Sequence, residues 1–356
     1  LSRQPCEVTL ETVESIKQLA LKKIANKTKP LGSLGMLEDC AVRLCEIQQT
    51  LDPCVASKKI VVFAGSHGVA EEGVSAFPAA VNEQMVLNFL SGGAGINVLA
   101  HHGGIQLGVV DVGVDSDFNG VESTFFTRRT VRRGTRNFAK EPAMTREECA
   151  AAMEAGREEL RKAAAEGVQM VGTGEMGIAN TTAASALFSA LLGMEAGIST
   201  GRGTGIDNER LLVKTRVVRE AVIRYRTIGD SEGPLGWLRA VGGLEIAAIT
   251  GFILEAAQAR VPVVVDGFIS TAAATVALAI NHACRQVIFF SHKSDEHAHA
   301  DVLRRLNADP LLDLRLRLGE GTGAALAMHL LDASAKIMCE MASFESAGVS
   351  ASESEP

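Results

Sequence analysis

The chain has 356 residues, 35 of them Lys or Arg and 42 Asp or Glu, giving a formal net charge of −7. That balance excludes a general nucleic-acid binder, which carries a basic footprint, and 4% aromatic residues leave few stacking platforms for bases. At 47% hydrophobic and 22% charged, the composition is that of a globular enzyme of one or two domains, with no apolar run long and charge-free enough to span a bilayer. The seven cysteines, at 6, 40, 45, 54, 149, 284 and 339, contain no CxxC pair. They point to a reducing compartment, hence the cytoplasm, rather than to a disulfide framework or a zinc site. Leu1 to Ile24 is charged and amphipathic and lacks the apolar core of a secretory signal.

Residues 8–50 predict two helices. The first is apolar at Val13, Ile16, Leu19 and Leu21 and stops at Lys29-Pro30-Leu31-Gly32; the second carries Leu37, Ala41, Leu44 and Ile47. The character then changes. Short apolar runs at 60–65, 107–114, 168–171, 261–265 and 287–290 alternate with helical segments, the pattern of a mostly parallel sheet covered on both faces. One helix is well delimited: Thr145-Arg146-Glu147-Glu148 forms a capping box and Gly167 a stop. Leu312 to Leu318 alternates Leu with Asp or Arg and predicts a half-exposed strand. A long helix is expected from Gly323 to Phe344, followed by a disordered Ser/Glu/Ala-rich tail over 345–356. The division expected is therefore 1–54 for part of a small helical domain, 55–323 for an α/β catalytic domain, and 324–344 for a helix completing the small one. The basic runs Arg128-Arg129 and Arg132-Arg133 read as a solvated loop.

Ligands of open α/β sheets bind beyond the carboxyl ends of the strands. The segments there are Gly65-Ser66-His67-Gly68, then Gly172 to Thr182, Asp266-Gly267-Phe268 and Ser291-His292. The loop from Gly172 suits a phosphate, because its glycines expose N–H groups and Asn180, Thr181 or Thr182 can cap the next helix. Its Gly172-x-Gly174-x-x-Gly177 spacing alone is a weak dinucleotide signal, and no P-loop is present. Gly201 to Asp207 is a second glycine loop, with Lys214 following either as a phosphate counter-ion or as a surface helix lysine. His292, Glu296, His297 and His299 lack HExxH spacing, and no metal site is assigned. Glu320, between Gly319 and Gly321 just before an expected helix, suits a base beside a bound substrate or a turn residue matching the helix dipole.

Together these segments resemble the nicotinate-nucleotide–dimethylbenzimidazole phosphoribosyltransferase (CobT) family. The matching residues, in the family's order, are Lys29 to Gly35, Gly65-Ser66-His67-Gly68-Val69, Gly174-Glu175-Met176-Gly177 with Asn180-Thr181-Thr182, Val241-Gly242-Gly243, Asp266-Gly267-Phe268, Ser291-His292 and Arg317-Leu318-Gly319-Glu320-Gly321. The resemblance implies a Rossmann-like, mostly parallel sheet domain plus a small helical domain built from both chain ends, and a homodimer or a pairing with a paralogue. It implies transfer of phosphoribose from nicotinate mononucleotide to 5,6-dimethylbenzimidazole or a related base, with inversion at the anomeric carbon and no cofactor. Glu320 would be the general base and Glu175 a second active-site carboxylate. Gly174, Gly177, Ala179, Asn180, Gly205, Lys214 and Ser291 would hold the phosphoribosyl group, with Ser66, His67 and Asp266 in support.

The chain departs from the family pattern at Ser66, where Asp is usual, so a positioning carboxylate is expected to be lost. Phe77, Met85, Met176 and Leu318 would make an unusually apolar base pocket, from which a range broadened to phenolic acceptors is expected. Two rival readings carry different expectations. An NAD-dependent dehydrogenase needs an acidic residue ending the second strand and a hydride-transfer partner, neither of which is clear. A partner or regulatory subunit would keep the fold and rely on a paralogue for activity.

Overall fold

The computed structural model describes residues 14–203 and 205–350. The chain divides into two compact units, one of Leu1–Cys54 with Ala333–Pro356 and one of Val55–Asp332. Within the larger unit lie β1 (Lys58–Gly65), β2 (Gln106–Gly113), β3 (Phe126–Arg128), β4 (Met170–Met176), β5 (Val263–Val265) and β6 (Ile288–Phe290). All pair in parallel, in the order β3-β2-β1-β4-β5-β6. This is a Rossmann-like α/β sheet whose winding reverses between β1 and β4, where ligands of such folds bind.

Local chemistry explains the elements. Every residue of β1 is buried, as expected of a strand covered on both faces. Its first two residues are lysines, and they are tolerated because Lys58 pairs with Asp332 and Lys59 with Glu166, at 2.9 and 2.8 Å. The helix Arg146–Ala165 begins at the expected capping box: Thr145 Oγ1 accepts the Glu148 N–H, and the Glu148 carboxylate accepts the Thr145 N–H. That helix packs on Leu244–Ala259 through Gly156 and Gly251, where any Cβ would overlap the opposite backbone carbonyl, so the two helices touch main chain to main chain.

In the smaller unit, helices Ile16–Ala25 and Met36–Gln48 bury Ala20, Ile24, Ala41, Val42 and Cys45 against Met338. Thr28 N–H donates to the Ala342 carbonyl and Phe344 N–H to that of Asn26, so the two chain ends are tied by main-chain bonds. Of the amphipathic start, residues 1–13, Val13 among them, lie outside the described residues.

Three expectations need correction. Residues 312–318 do not form a strand: Leu312 makes one isolated parallel bridge to His292, and Arg315 sits at φ 57°, which breaks the pleat. The last long helix spans Thr322–Glu340 rather than reaching Phe344. A capped helical turn, Phe344–Ala347, then occupies the start of the expected disordered tail, while 351–356 lie outside the described residues. β3 was not anticipated. Among the described residues no helix is long and apolar enough to cross a membrane.

Candidate active site

A cavity of about 440 Å³ opens at the carboxyl ends of β4, β5 and β6. Phe77, Met85, Met176 and Leu318 line it together with Glu175, Gly177, Asn180 and Glu320, so the predicted base-binding residues and both predicted carboxylates share one wall. Phe77 and Leu318 are 51% and 60% exposed and stand toward solvent. Glu175 and Glu320 are buried.

Glu320 occupies a constrained backbone. Gly319, Glu320 and Gly321 lie at φ 81°, 62° and 93°, three consecutive left-handed residues, of which only the glycines adopt that region without cost. Asp266, one residue beyond β5, holds the turn: its carboxylate accepts N–H bonds from Gly321 at 3.1 Å, Gly323 at 2.8 Å and Ala324 at 3.0 Å. These are the free N–H groups at the start of the helix Thr322–Glu340, and an anion there also answers the helix dipole. The opposite side is closed by Gly174, whose missing side chain leaves room for the Glu320 carbonyl. Glu320 Oε2 accepts one long N–H bond, 3.3 Å from Ile96, and burial raises its carboxyl above the usual carboxylate range.

Glu175, the penultimate residue of β4, is pushed up to about 8, first by burial and then by the neighbouring Asp266 and Glu245 carboxylates; the Asn180 carboxamide, which donates to it, opposes the shift. Burial and the neighbouring carboxylates thus both favour its acid form. Asn180 consequently does not cap its helix: Asn180–Leu192 starts from Ala179 at φ 73° with no side-chain cap, leaving the first turn to face an anion. Lys214 is not a surface lysine. It is fully buried, donates to Thr181 Oγ1 at 2.7 Å and the Gly201 carbonyl at 3.1 Å, and burial pulls its ammonium down to about 8. Thr181 and Gly203 line the cavity, so the ammonium stands one atomic layer behind its wall.

Several predicted residues are not on the wall. Gly174 packs on Glu320 instead of facing the cavity, and Ala179, Gly205 and Ser291 are likewise absent from its lining. Ser291 Oγ bonds His292 Nδ1 at 2.8 Å, and it is His292 that reaches the wall, with Asp266 4.0 Å from the same nitrogen. Ser66 turns inward as well, its hydroxyl accepting from Asn82 Nδ2 at 2.9 Å and from the Asp115 N–H at 3.1 Å. Asn82 Oδ1 in turn accepts the Ile178 N–H at 2.7 Å. Position 66 thus belongs to the scaffold joining β1 to the loop after β4, and serine there removes no group from the cavity wall. His67 is also behind the wall, 2.6 Å from Glu245.

Asn82, Glu245 and His292 are the residues that sequence reasoning missed as parts of the site. His292 lay within the Ser291-His292 segment, and Glu245 follows the Gly242-Gly243 pair; Asn82 has no local signal. His299 is turned inward: Nδ1 accepts the Ser294 N–H and Nε2 meets Thr271 Oγ1, and burial lowers it to about 3, so it is a neutral structural imidazole. Among the described residues no group of three or more His, Cys, Asp or Glu could hold a metal ion. Asp111 lies two residues before the end of β2, close to where a dinucleotide-binding acid would stand. Its carboxylate, however, is occupied by the N–H groups of Gly113 and Val114 and the Thr130 hydroxyl.

Replacing Asp266 by Asn turns one of its acceptor oxygens into a donor facing N–H groups. Asp266→Asn is expected to lose about 1–3 kcal/mol of stability in urea unfolding. A loss below about 0.5 kcal/mol, the scatter of neutral surface changes, would show that the turn around Glu320 does not depend on it.

A phosphoribosyltransferase family model matches residues 11–349. The chain is 52% identical over 339 residues to the nicotinate-nucleotide–dimethylbenzimidazole phosphoribosyltransferase of Citrifermentans bemidjiense, covering 95% of this chain and 96% of that protein. It is likewise 52% identical over 330 residues to the one from Geobacter sulfurreducens, covering 93% of each. The crystal structure of CobT from Thermus thermophilus superposes with a TM-score of 0.90 at 45% identity, covering 94% of this chain and 99% of that one. With a matching family model, relatives of the same name along nearly its whole length and the same fold, this chain belongs to the nicotinate-nucleotide–dimethylbenzimidazole phosphoribosyltransferase family.

Proposed function

We propose that this chain transfers the 5-phosphoribosyl group of nicotinate mononucleotide to 5,6-dimethylbenzimidazole or a related aromatic base, giving α-ribazole 5′-phosphate and nicotinate in cobamide lower-ligand assembly. The observation that carries the reading is the pairing of one lightly hydrogen-bonded carboxylate, Glu320, with an apolar wall in the same cavity. Nicotinate leaves as a pyridine: the bond from C1′ to the ring nitrogen breaks, and its electron pair neutralises the pyridinium, so no acid is needed. The unprotonated ring nitrogen of the incoming azole attacks C1′ from the opposite face, which inverts that carbon, and the N–H proton of its other ring nitrogen passes to Glu320. A carboxyl raised by burial is a stronger base for that proton than an exposed one. Glu175, drawn toward its acid form, serves as a hydrogen-bond donor to the sugar or base rather than as a second base.

The phosphate is assigned to the uncapped start of Asn180–Leu192, with Gly177, Thr181 and the buried Lys214 ammonium behind it. Gly174, Ala179, Gly205 and Ser291 support this site from outside the wall. A homodimer, or pairing with a paralogue, and a cytoplasmic location belong to the same reading and rest on the family resemblance.

Four experiments test these assignments. Purified alone, the chain is expected to scatter light as a dimer and to release nicotinate when given nicotinate mononucleotide and dimethylbenzimidazole. Glu320→Gln is expected to lower kcat about 100- to 10,000-fold. Full turnover in that variant would remove Glu320 as the base, and an inactive wild-type chain restored by a paralogue would favour the partner-subunit reading. Lys214 binds a phosphate dianion only as the ammonium, so its contribution is present below about pH 8 and lost as pH rises through that value. KM for nicotinate mononucleotide should accordingly rise several-fold, about threefold or more, between about pH 7 and 9, and Lys214→Met should flatten the profile at a higher KM. A wild-type KM flat over that range would detach Lys214 from the phosphate. The apolar wall also predicts that p-cresol competes with dimethylbenzimidazole and is itself glycosylated; the absence of any phenol glycoside by mass spectrometry would confine the site to azoles.

A further inference from the structure

Behind the cavity floor lies a second acidic group that the reaction above does not use. Glu245, in the first turn of the helix Leu244–Ala259, meets His67 with Oε1 2.6 Å from Nε2, and both side chains are completely shielded from solvent. The remaining polar atom of each, His67 Nδ1 and Glu245 Oε2, is buried without a hydrogen-bond partner. Leaving such atoms unpaired is costly, so a purely structural pair would be better replaced by apolar side chains of the same volume.

The surroundings are built to admit the pair. Three glycines from different segments press on it. A Cβ at Gly65 would stand 3.0 Å from Glu245 Oε2, and one at Gly243 2.6 Å from the same oxygen. A Cβ at Gly177 would stand 3.1 Å from His67 Nε2 and 3.2 Å from Glu245 Oε1. Gly177 is itself part of the cavity lining, so the pair and the substrate space lie on opposite sides of one glycine. The acids that act on Glu175 come from three directions: Asp266 after β5, Glu245 on its helix and Glu320 ahead of the last long helix, while Asn180 donates to it.

We propose that Glu245 and His67 are a positioning pair for phosphoribosyl transfer: locked together beneath Gly177, they brace the loop after β4 and set the electrostatic field in which Glu175 works. The proposal rests on the function assigned above. Neither residue touches substrate space. Glu245 acts through Glu175, keeping it in the acid form that donates a hydrogen bond, and through Gly177, which it holds at the floor.

The test is the pH profile of kcat at saturating substrates, where bound phosphate keeps Lys214 protonated and the alkaline limb reports Glu175. Glu245→Gln keeps the shape and removes the charge. It is expected to lower kcat about tenfold while changing KM for nicotinate mononucleotide less than about threefold, and to move the alkaline limb down by about one pH unit. Glu245→Asp, which keeps the charge, should retain the wild-type limb, and Glu175→Gln should abolish it. A folded Glu245→Gln protein whose limb stays in place overturns the proposal, because a merely structural role would lower activity without moving it. Should Glu245→Gln not fold, Glu245→Met carries the same test: it removes the charge with an apolar side chain of similar length, so the limb should again move down, and an unmoved limb overturns the proposal. A wild-type chain that releases no nicotinate at any pH overturns both this inference and the reading it rests on.

Discussion

The site depends on one carboxylate that never touches its cavity. Asp266 gathers three N–H groups from Gly321, Gly323 and Ala324, and so joins the end of β5 to the start of the last long helix. Without that anchor, nothing in the local chain would favour three consecutive left-handed residues, one of them a glutamate. The strain is confined to the residue whose side chain must point into the cavity. Asp266 also places Gly319 against Glu175, where any side chain would strike the carboxyl, so the two acids of the wall are fixed relative to each other by backbone rather than by rotamer choice.

Crowding of acids follows from this arrangement. Glu175, Asp266 and Glu320 are all buried at one end of the sheet and all raised, with burial the first cause in each case. Low dielectric and like charge act in the same direction, so each of the three is drawn toward its acid form. Under the function proposed above, these chemically identical carboxyls take separate tasks: Glu175 donates a hydrogen bond, while Glu320, relieved by the Ile96 N–H, takes a proton.

The sequence was readable where physics is local. Apolar β-branched runs announced β1, β2, β4, β5 and β6, and the Thr145 capping box announced its helix, because each signal lies within a few residues. β3 was not, since three half-exposed residues carry no periodicity and exist only as an edge to β2. Asn180 looked like a helix cap because its type and position allow it; Glu175, brought near by the strand–helix turn, claims its carboxamide instead. Ser66 looked like a missing carboxylate because no sequence pattern discloses Asn82, which lies sixteen residues away and absorbs its hydroxyl. The glycine loops pointed to the sheet edge where the cavity opens but could not separate glycines that line it from those, such as Gly174, that let two backbones meet.

The contrast between a main-chain floor and a side-chain mouth has an evolutionary consequence. Gly174, Gly177 and Gly319 are each hemmed in by backbone or by buried polar atoms, so that part of the molecule has almost no neutral neighbours in sequence space. Phe77 and Leu318, by contrast, stand half in solvent at the cavity mouth. If the base binds at this mouth and the sugar and phosphate at the floor, as proposed above, lineages of this fold can drift in the aromatic ring they accept while the floor stays frozen. Divergence in acceptor choice should then be written at Phe77, Leu318 and their neighbours Met85 and Met176 rather than in the glycines.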